Sequence, residues 1–188
     1  MGEKGEENRQ RIVEAASALF YQQGFSKTSF SDIAAAAEVP RGNFYYYFKT
    51  KDELLEAVIA MRLDAIRANL AAIEQEAPDP RDRLKRLGKM LQTQAETLVE
   101  FGCPMGTLNL ELCKIKAAQQ SDARAMFELF IDWAAEQFSA LGKGSAARPL
   151  AMHLLSMLQG SAVMSTVYHD PHLIGQEVGL VNDWIDSL

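Results

Sequence analysis

Apolar residues recur along this chain at steps of three and four, which lines one face of a helix, and no stretch alternates in the manner of a half-buried strand. The fold class this predicts is all-α. A first helix over about residues 7–23 puts Ile12, Ala16, Leu19 and Phe20 on one face, with Gly24 where a helix ends. A short second helix opens within "TSFSDIAAAAEV", where Ser29 and Asp32 have the spacing of a capping pair. A third covers residues 41–48. Thr50 and Glu53 cap a long fourth helix whose stripe runs Leu55, Ile59, Leu63, Ile66, Leu70 and Ile73. "APDPRD" stops it, and Asp79 before Pro80 caps its successor. Further helices are predicted over 81–100, 104–116, 122–141, 148–168 and 172–188.

This order divides the chain into a compact three-helix unit over residues 1–50 and a helical bundle over 51–188, joined by the long fourth helix. Residues 150–164 are apolar almost all round, interrupted by His153, Ser156, Gln159 and Ser161. Such a helix needs cover on every side. Gly160, Ser161, Ala162 and Ser165 leave room for a second helix, and the last helix carries Val178, Val181, Trp184, Ile185 and Leu188 on one stripe. The last two helices are therefore expected to pair two copies about a two-fold axis. An interior helix in a monomer is the alternative.

Composition narrows the class. The 188 residues are 48% hydrophobic and 23% charged, as in a soluble globular protein, and the length suffices for a core without disulfide staples. Two cysteines are too few for a disulfide scaffold, the charged "MGEKGEENRQR" does not resemble a signal peptide, and no apolar run reaches the roughly 20 residues of a membrane span. The expectation is a cytoplasmic protein with no membrane partner. The net charge of −6 argues against a polybasic nucleic-acid coat. From Lys27 to Lys51, however, Lys27, Arg41, Lys49 and Lys51 face only Asp32 and Glu38, so a locally positive face remains open to DNA.

The third helix carries the chemistry. In "EVPRGNFYYYFKTKDEL", Phe44 and Phe48 stack on one face, Gly42, Asn43 and Tyr46 lie roughly opposite, and Tyr45 and Tyr47 flank them. In a helix-turn-helix the second helix enters the major groove with its first residues against base edges. Arg41 can donate twice to guanine, and Asn43 can pair with adenine or reach a phosphate. The tyrosine hydroxyls and Lys51 suit phosphate oxygens. The competing reading is that a tyrosine packs between domains, Tyr45 against the fourth helix in particular.

The stretch "RQRIVEAASALFYQQGFSKTSFSDIAAAAEVPRGNFYYYFKTKDELL" resembles the amino-terminal DNA-binding domain of the TetR/AcrR family of transcriptional regulators, without a gap over about the first 55 residues. The "LF...GF..TS" join, "DIA" and the "GNFYYYFKTKDELL" block carry the likeness. The resemblance implies a helix-turn-helix domain linked to a helical ligand-binding and dimerisation domain. It implies a repressor-like homodimer released from a double-stranded operator by an inducer. It places Arg41, Gly42 and Asn43 at the groove, and Tyr45, Tyr46, Tyr47 and Lys51 on phosphate or groove walls. Thr28 and Ser31 fall at positions that hold the DNA backbone. Pro40 departs from a frequent capping serine and Glu38 from a frequent turn glycine, which bears on how the recognition helix enters the groove. A ligand-binding or scaffold protein of the same fold, without operator function, is the alternative.

Two kinds of inducer are compatible with the rest of the chain. In "FGCPMGTLNLELCK", Cys103 precedes Pro104 at a predicted helix start, where the dipole favours a thiolate, and Cys113 lies ten residues on. The context is similar to an electrophile-sensing branch of the family; the competing reading makes both cysteines small buried hydrophobes. A small apolar inducer would instead enter a pocket among Met105, Leu108, Phe127, Phe130, Trp133, Met157, Met164 and Tyr168, with Glu111 and His153 to orient it. "YHDPH" offers His169, Asp170 and His172 but no third strong ligand close by, so no metal and no cofactor are expected. No phosphate-cradling loop, nucleophile elbow or zinc-protease helix occurs, and no catalytic residue is assigned.

Overall fold

The computed structural model describes residues 3–188, apart from the side chains of Glu3 and Arg41. Among the described residues there are ten α-helices, one 3₁₀ turn and no strand. The helices are α1 Glu3–Gln23, α2 Phe30–Ala36, α3 Arg41–Tyr47, α4 Lys51–Glu76, α5 Pro80–Thr93, α6 Ala95–Phe101, α7 Pro104–Lys114, α8 Gln120–Ala140, α9 Ala147–Tyr168 and α10 His172–Ser187. They form two compact units. The first comprises Met1–Asp64 with Thr107–Ala125, and the second Ala65–Gly106 with Met126–Leu188. Helices α4, α7 and α8 thus each contribute to both units.

In the first unit, α2 packs on α1 and on α3. Ile12, Val13, Ala16 and Phe20 of α1, Ile33 and Ala34 of α2, and Phe44 and Phe48 around α3 are buried in its core, with Leu54, Leu55, Val58 and Ile59 of α4. Ser29 caps α2 as its spacing predicts: its hydroxyl accepts from the Asp32 amide at 3.2 Å, and the Asp32 carboxylate accepts from the Ser29 amide at 2.9 Å. The Ser29 hydroxyl and then its amide hold the Asp32 carboxyl below its ordinary pKa. Thr50 likewise accepts from the Glu53 amide at 3.1 Å at the start of α4.

In the second unit, α10 packs against α5 and α9, and α6 against α9. Gly88 permits the first of these approaches, since a Cβ there would lie 2.9 Å from a methyl of Val178. The single helix predicted over 81–100 is two helices that break at Gln94 (φ −113°, ψ 11°), whose amide donates to the carbonyls of Leu91 and Gln92. The segment Gly144–Tyr168 has the length and mean hydropathy, 1.3, of a membrane span, which corrects the expectation that no run does. The scattered serines, glutamine and histidine of α9 break the run without lowering its mean hydropathy enough. One side of α9, with Ala151, Leu154, Leu158 and Ala162, is buried in the unit.

Candidate nucleic-acid interface and sensing unit

The turn into α3 is unusual for its residues. Glu38 sits in the left-handed region (φ 52°), where a side chain costs about 1 kcal/mol or more relative to glycine. Arg11 secures it by donating to the Ala37 carbonyl and pairing with the Glu38 carboxylate at 3.4 Å. Pro40 occupies the cap position of α3 without a side-chain cap bond (φ −54°, ψ 132°). So the glycine position of the turn keeps its backbone form, held from outside by Arg11.

Phe44 of α3 and Phe48 just past its end are buried, while four residues between 42 and 46 are exposed. Gly42 and Asn43 are exposed, and a Cβ at Gly42 would meet no atom within 4 Å. Tyr46 is 69% exposed and Tyr45 48%, although the Tyr45 ring also meets Phe30 edge-on at 5.7 Å. Tyr47 is the half-buried member, and its hydroxyl accepts from the Asn8 amide side chain at 3.2 Å. The internally bonded tyrosine is therefore Tyr47 rather than Tyr45. The Arg41 side chain, assigned to a base edge from the sequence, lies outside the described residues. Ser31 is half-exposed on the first turn of α2.

Thr28 and Lys51 face a different task from the one the resemblance gave them. Thr28 is buried, with its hydroxyl donating to the Gly24 carbonyl at 2.7 Å and accepting from Gln23 at 3.3 Å. Lys51 Nζ donates to the carbonyls of Phe25, Ser26 and Thr28 at 2.9, 3.3 and 3.1 Å, and lies 4.4 Å from the centre of the Phe25 ring. Three donors with three acceptors leave that ammonium no proton for a phosphate. It staples the loop between α1 and α2.

The same loop receives Glu111. Its carboxylate accepts from the Phe25 amide at 2.8 Å and from the Ser26 amide at 2.7 Å. This removes Glu111 from the predicted ligand pocket, since the last turns of α7 belong to the first unit. Burial opposes its charge, but the Ser26 side chain and amide, the Phe25 amide and the Lys51 charge together outweigh burial and hold its pKa below the ordinary 4.5. A lowered carboxylate stabilises the fold above its unfolded pKa, and that contribution is lost as pH falls through the folded value.

The other pocket candidates separate. Met105 and Phe130 meet around an apolar cavity of about 50 Å³ with Leu87, Met90, Leu155 and Leu158, and the Gln159 side chain at its edge. Leu108 is buried in the first unit, and Phe127 is half-buried away from this lining. Trp133 is buried with its indole N–H donating to Glu74 at 2.8 Å, while His153 is exposed with its ring 5.1 Å from that of Trp184. Met157, Met164 and Tyr168 instead line an open groove of about 630 Å³ beside Leu173 and Leu180 of α10.

Cys103 is a half-buried cysteine immediately before α7, and Cys113 an exposed one near its end. A Cβ on Gly106 would lie 2.9 Å from Gln159 Oε1 and 3.8 Å from Cys103 Sγ, so the bare glycine leaves room for the Gln159 side chain at this end of α7. Asp170 accepts from the His172 amide at 2.9 Å one residue ahead of Pro171, which holds the cap position of α10, while His169 ends α9 in the left-handed form.

The apolar stripe read on the last helix proves internal. Val178, Val181 and Ile185 are buried in the unit, as are Ser161, Ala162 and Ser165 of α9. What remains outward is a different face: Met152, Val163, Met164, Val167 and Tyr168 of α9 and Leu180 of α10, each at least 47% exposed. Gly160 also has nothing within 4 Å of a built Cβ. Period alone does not say which of two apolar faces the chain covers itself.

Comparison with known proteins agrees with this arrangement. Residues 12–58 match the family described as bacterial regulatory proteins, tetR family, and residues 80–175 match the C-terminal domain described as transcriptional regulator LmrA/YxaF-like. The HTH-type transcriptional repressor DhaR of Mycobacterium sp. strain GP1 is 28% identical over 123 residues, which are 65% of this chain and 61% of that protein. An HTH-type transcriptional regulator from the lacX 3′ region of Lactococcus lactis is 28% identical over 92% of this chain and 90% of its own. A TetR regulator from Chloroflexus aurantiacus superposes with a TM-score of 0.86 at 21% identity, covering 97% of this chain and 96% of its own. The reduced form of NemR from E. coli does so with 0.80 at 19%, covering 94% and 96%. With a regulatory helix-turn-helix at one end and a regulator's C-terminal domain over half the chain, this protein belongs to the TetR family of DNA-binding transcriptional regulators.

Proposed function

We propose that the chain acts in the cytoplasm as a homodimeric repressor that binds a palindromic operator and leaves it when an inducer reaches the bundle. The observation that carries the DNA-binding half is the division of α3, with Phe44 and Phe48 buried while Gly42, Asn43, Tyr45 and Tyr46 are exposed. Asn43 sits in the first turn, where base edges are read, and the two tyrosines offer hydroxyls to phosphates on either side. A two-fold pairing through the exposed face of α9 places two such helices on half-sites about 34 Å apart per turn of DNA. An inducer shifts the population by preferring the form in which that spacing is wrong.

For the inducer, the cavity around Met105 and Phe130 favours a small apolar molecule. At about 50 Å³ it is far below the several hundred Å³ of a formed ligand site, so binding opens it. The half-buried Cys103 beside Gln159 favours a thiol-reactive inducer at the same end of α7. Selection from a random duplex library tests the first half of the proposal: an enriched palindrome is expected, and its absence refutes operator binding. Release of that operator by an electrophile from the Cys103→Ser variant, undiminished from wild type, would remove the thiol route.

A further inference from the structure

The Gly24–Thr28 loop is held from two directions by groups of opposite charge. Its carbonyls at Phe25, Ser26 and Thr28 converge on Lys51 Nζ, and its amides at Phe25 and Ser26 converge on the Glu111 carboxylate. Gly24 is part of the fitting. Its φ of +90° suits glycine, and a Cβ there would lie 3.1 Å from Glu111 Oε2. Thr28, the last residue of the loop, is followed directly by the Ser29 cap of α2, which packs on α3. The loop therefore fixes the start of the helix-turn-helix. Lys51 belongs to α4 and holds the loop from a neighbouring stretch of chain, whereas Glu111 reaches it from α7, more than eighty residues on.

We infer that Glu111 is a positioning residue for operator binding: by gripping the Phe25 and Ser26 amides it holds the loop ahead of α2, and so α3, in the orientation that docks on DNA. Helix α7 begins at Pro104 in the second unit and delivers Glu111 two turns later in the first, so the grip is carried by an element common to both. An event at the Cys103 end that turns or shifts α7 would move Glu111 off the two amides. Two charge-assisted hydrogen bonds donated by backbone amides to one carboxylate are strong enough to fix a loop, yet few enough to be released by a small movement. This inference rests on the operator-binding reading above.

The test uses the full-length protein and the operator that the wild type selects from random duplexes. Glu111→Ala is expected to weaken operator binding about tenfold or more, the scale of one lost hydrogen bond to a charged group. Amide exchange in the 24–28 segment should speed up by at least as much, with α2 and α9 unchanged. Glu111→Gln, which keeps the size and one acceptor, should fall between the two. A merely structural role would raise exchange throughout and lower the melting temperature, without changing the affinity of the folded protein measured well below it. Unchanged or tighter operator binding by both variants, with their helical signal intact, overturns the inference alone. A wild type that selects no duplex overturns the operator-binding reading as well.

Discussion

On α3 the side chains left uncovered are two tyrosines and an asparagine, whereas on α9 they are valines and methionines with a tyrosine at the end. Each helix buries its other face in its own unit, so neither surface results from poor packing. The difference lies in the partner each suits. Tyrosine hydroxyls and an amide are solvated comfortably and lose little by waiting for a phosphate. Exposed valines at 57% and 65% gain nothing from water and suit a second apolar surface. In the proposed function these are a DNA face and a self-association face, carried by an acidic protein without a polybasic run.

The comparison breaks first at α9. Replacing Val163 and Val167 together by glutamate should yield monomers at micromolar concentration in sedimentation, and weaken operator binding about a hundredfold or more through loss of bivalence. An unchanged dimer would move the interface elsewhere. Lys51→Met tests whether that lysine serves the loop or the DNA. Losing its charge-assisted bonds should cost about 2 kcal/mol in denaturant unfolding, while the slope of operator affinity against salt remains that of the wild type. A flatter slope would return Lys51 to the phosphate backbone. Tyr46→Phe, at the most exposed ring of α3, should weaken operator binding about threefold to tenfold with no change in stability. Smallest and opposite in sign, Glu38→Gly should stabilise the protein by about 1 kcal/mol in thermal or denaturant melts, by relieving the left-handed backbone. A loss would show that the Arg11 contact matters more than the strain.

Local features of this fold were readable in the sequence because their causes are local. The Ser29–Asp32 and Thr50–Glu53 caps, Asp79 before Pro80 and the Phe44–Phe48 face all depend on residues within one turn. The helix break at Gln94 carries no proline or glycine, so spacing ran through it. The role of Glu111 was invisible because its partners lie at the other end of the chain, and an acid within an apolar run is equally consistent with a ligand site. Lys51 is ambiguous for a related reason: a lysine after an aromatic block resembles a phosphate contact, and its three carbonyl partners lie more than twenty residues back along the chain. On α9 and α10 the stripes themselves were correct, and only their cover was misplaced.

The fit of Glu111 against Gly24 also limits how this protein can change by descent. A side chain at position 24 would be strained by the backbone whatever stood at 111, and would also press on the carboxylate that grips the loop. Glu111 thus adds a second demand to a position already suited to glycine, although the two are distant in the gene. A substitution at 24 would disturb both the turn and the grip.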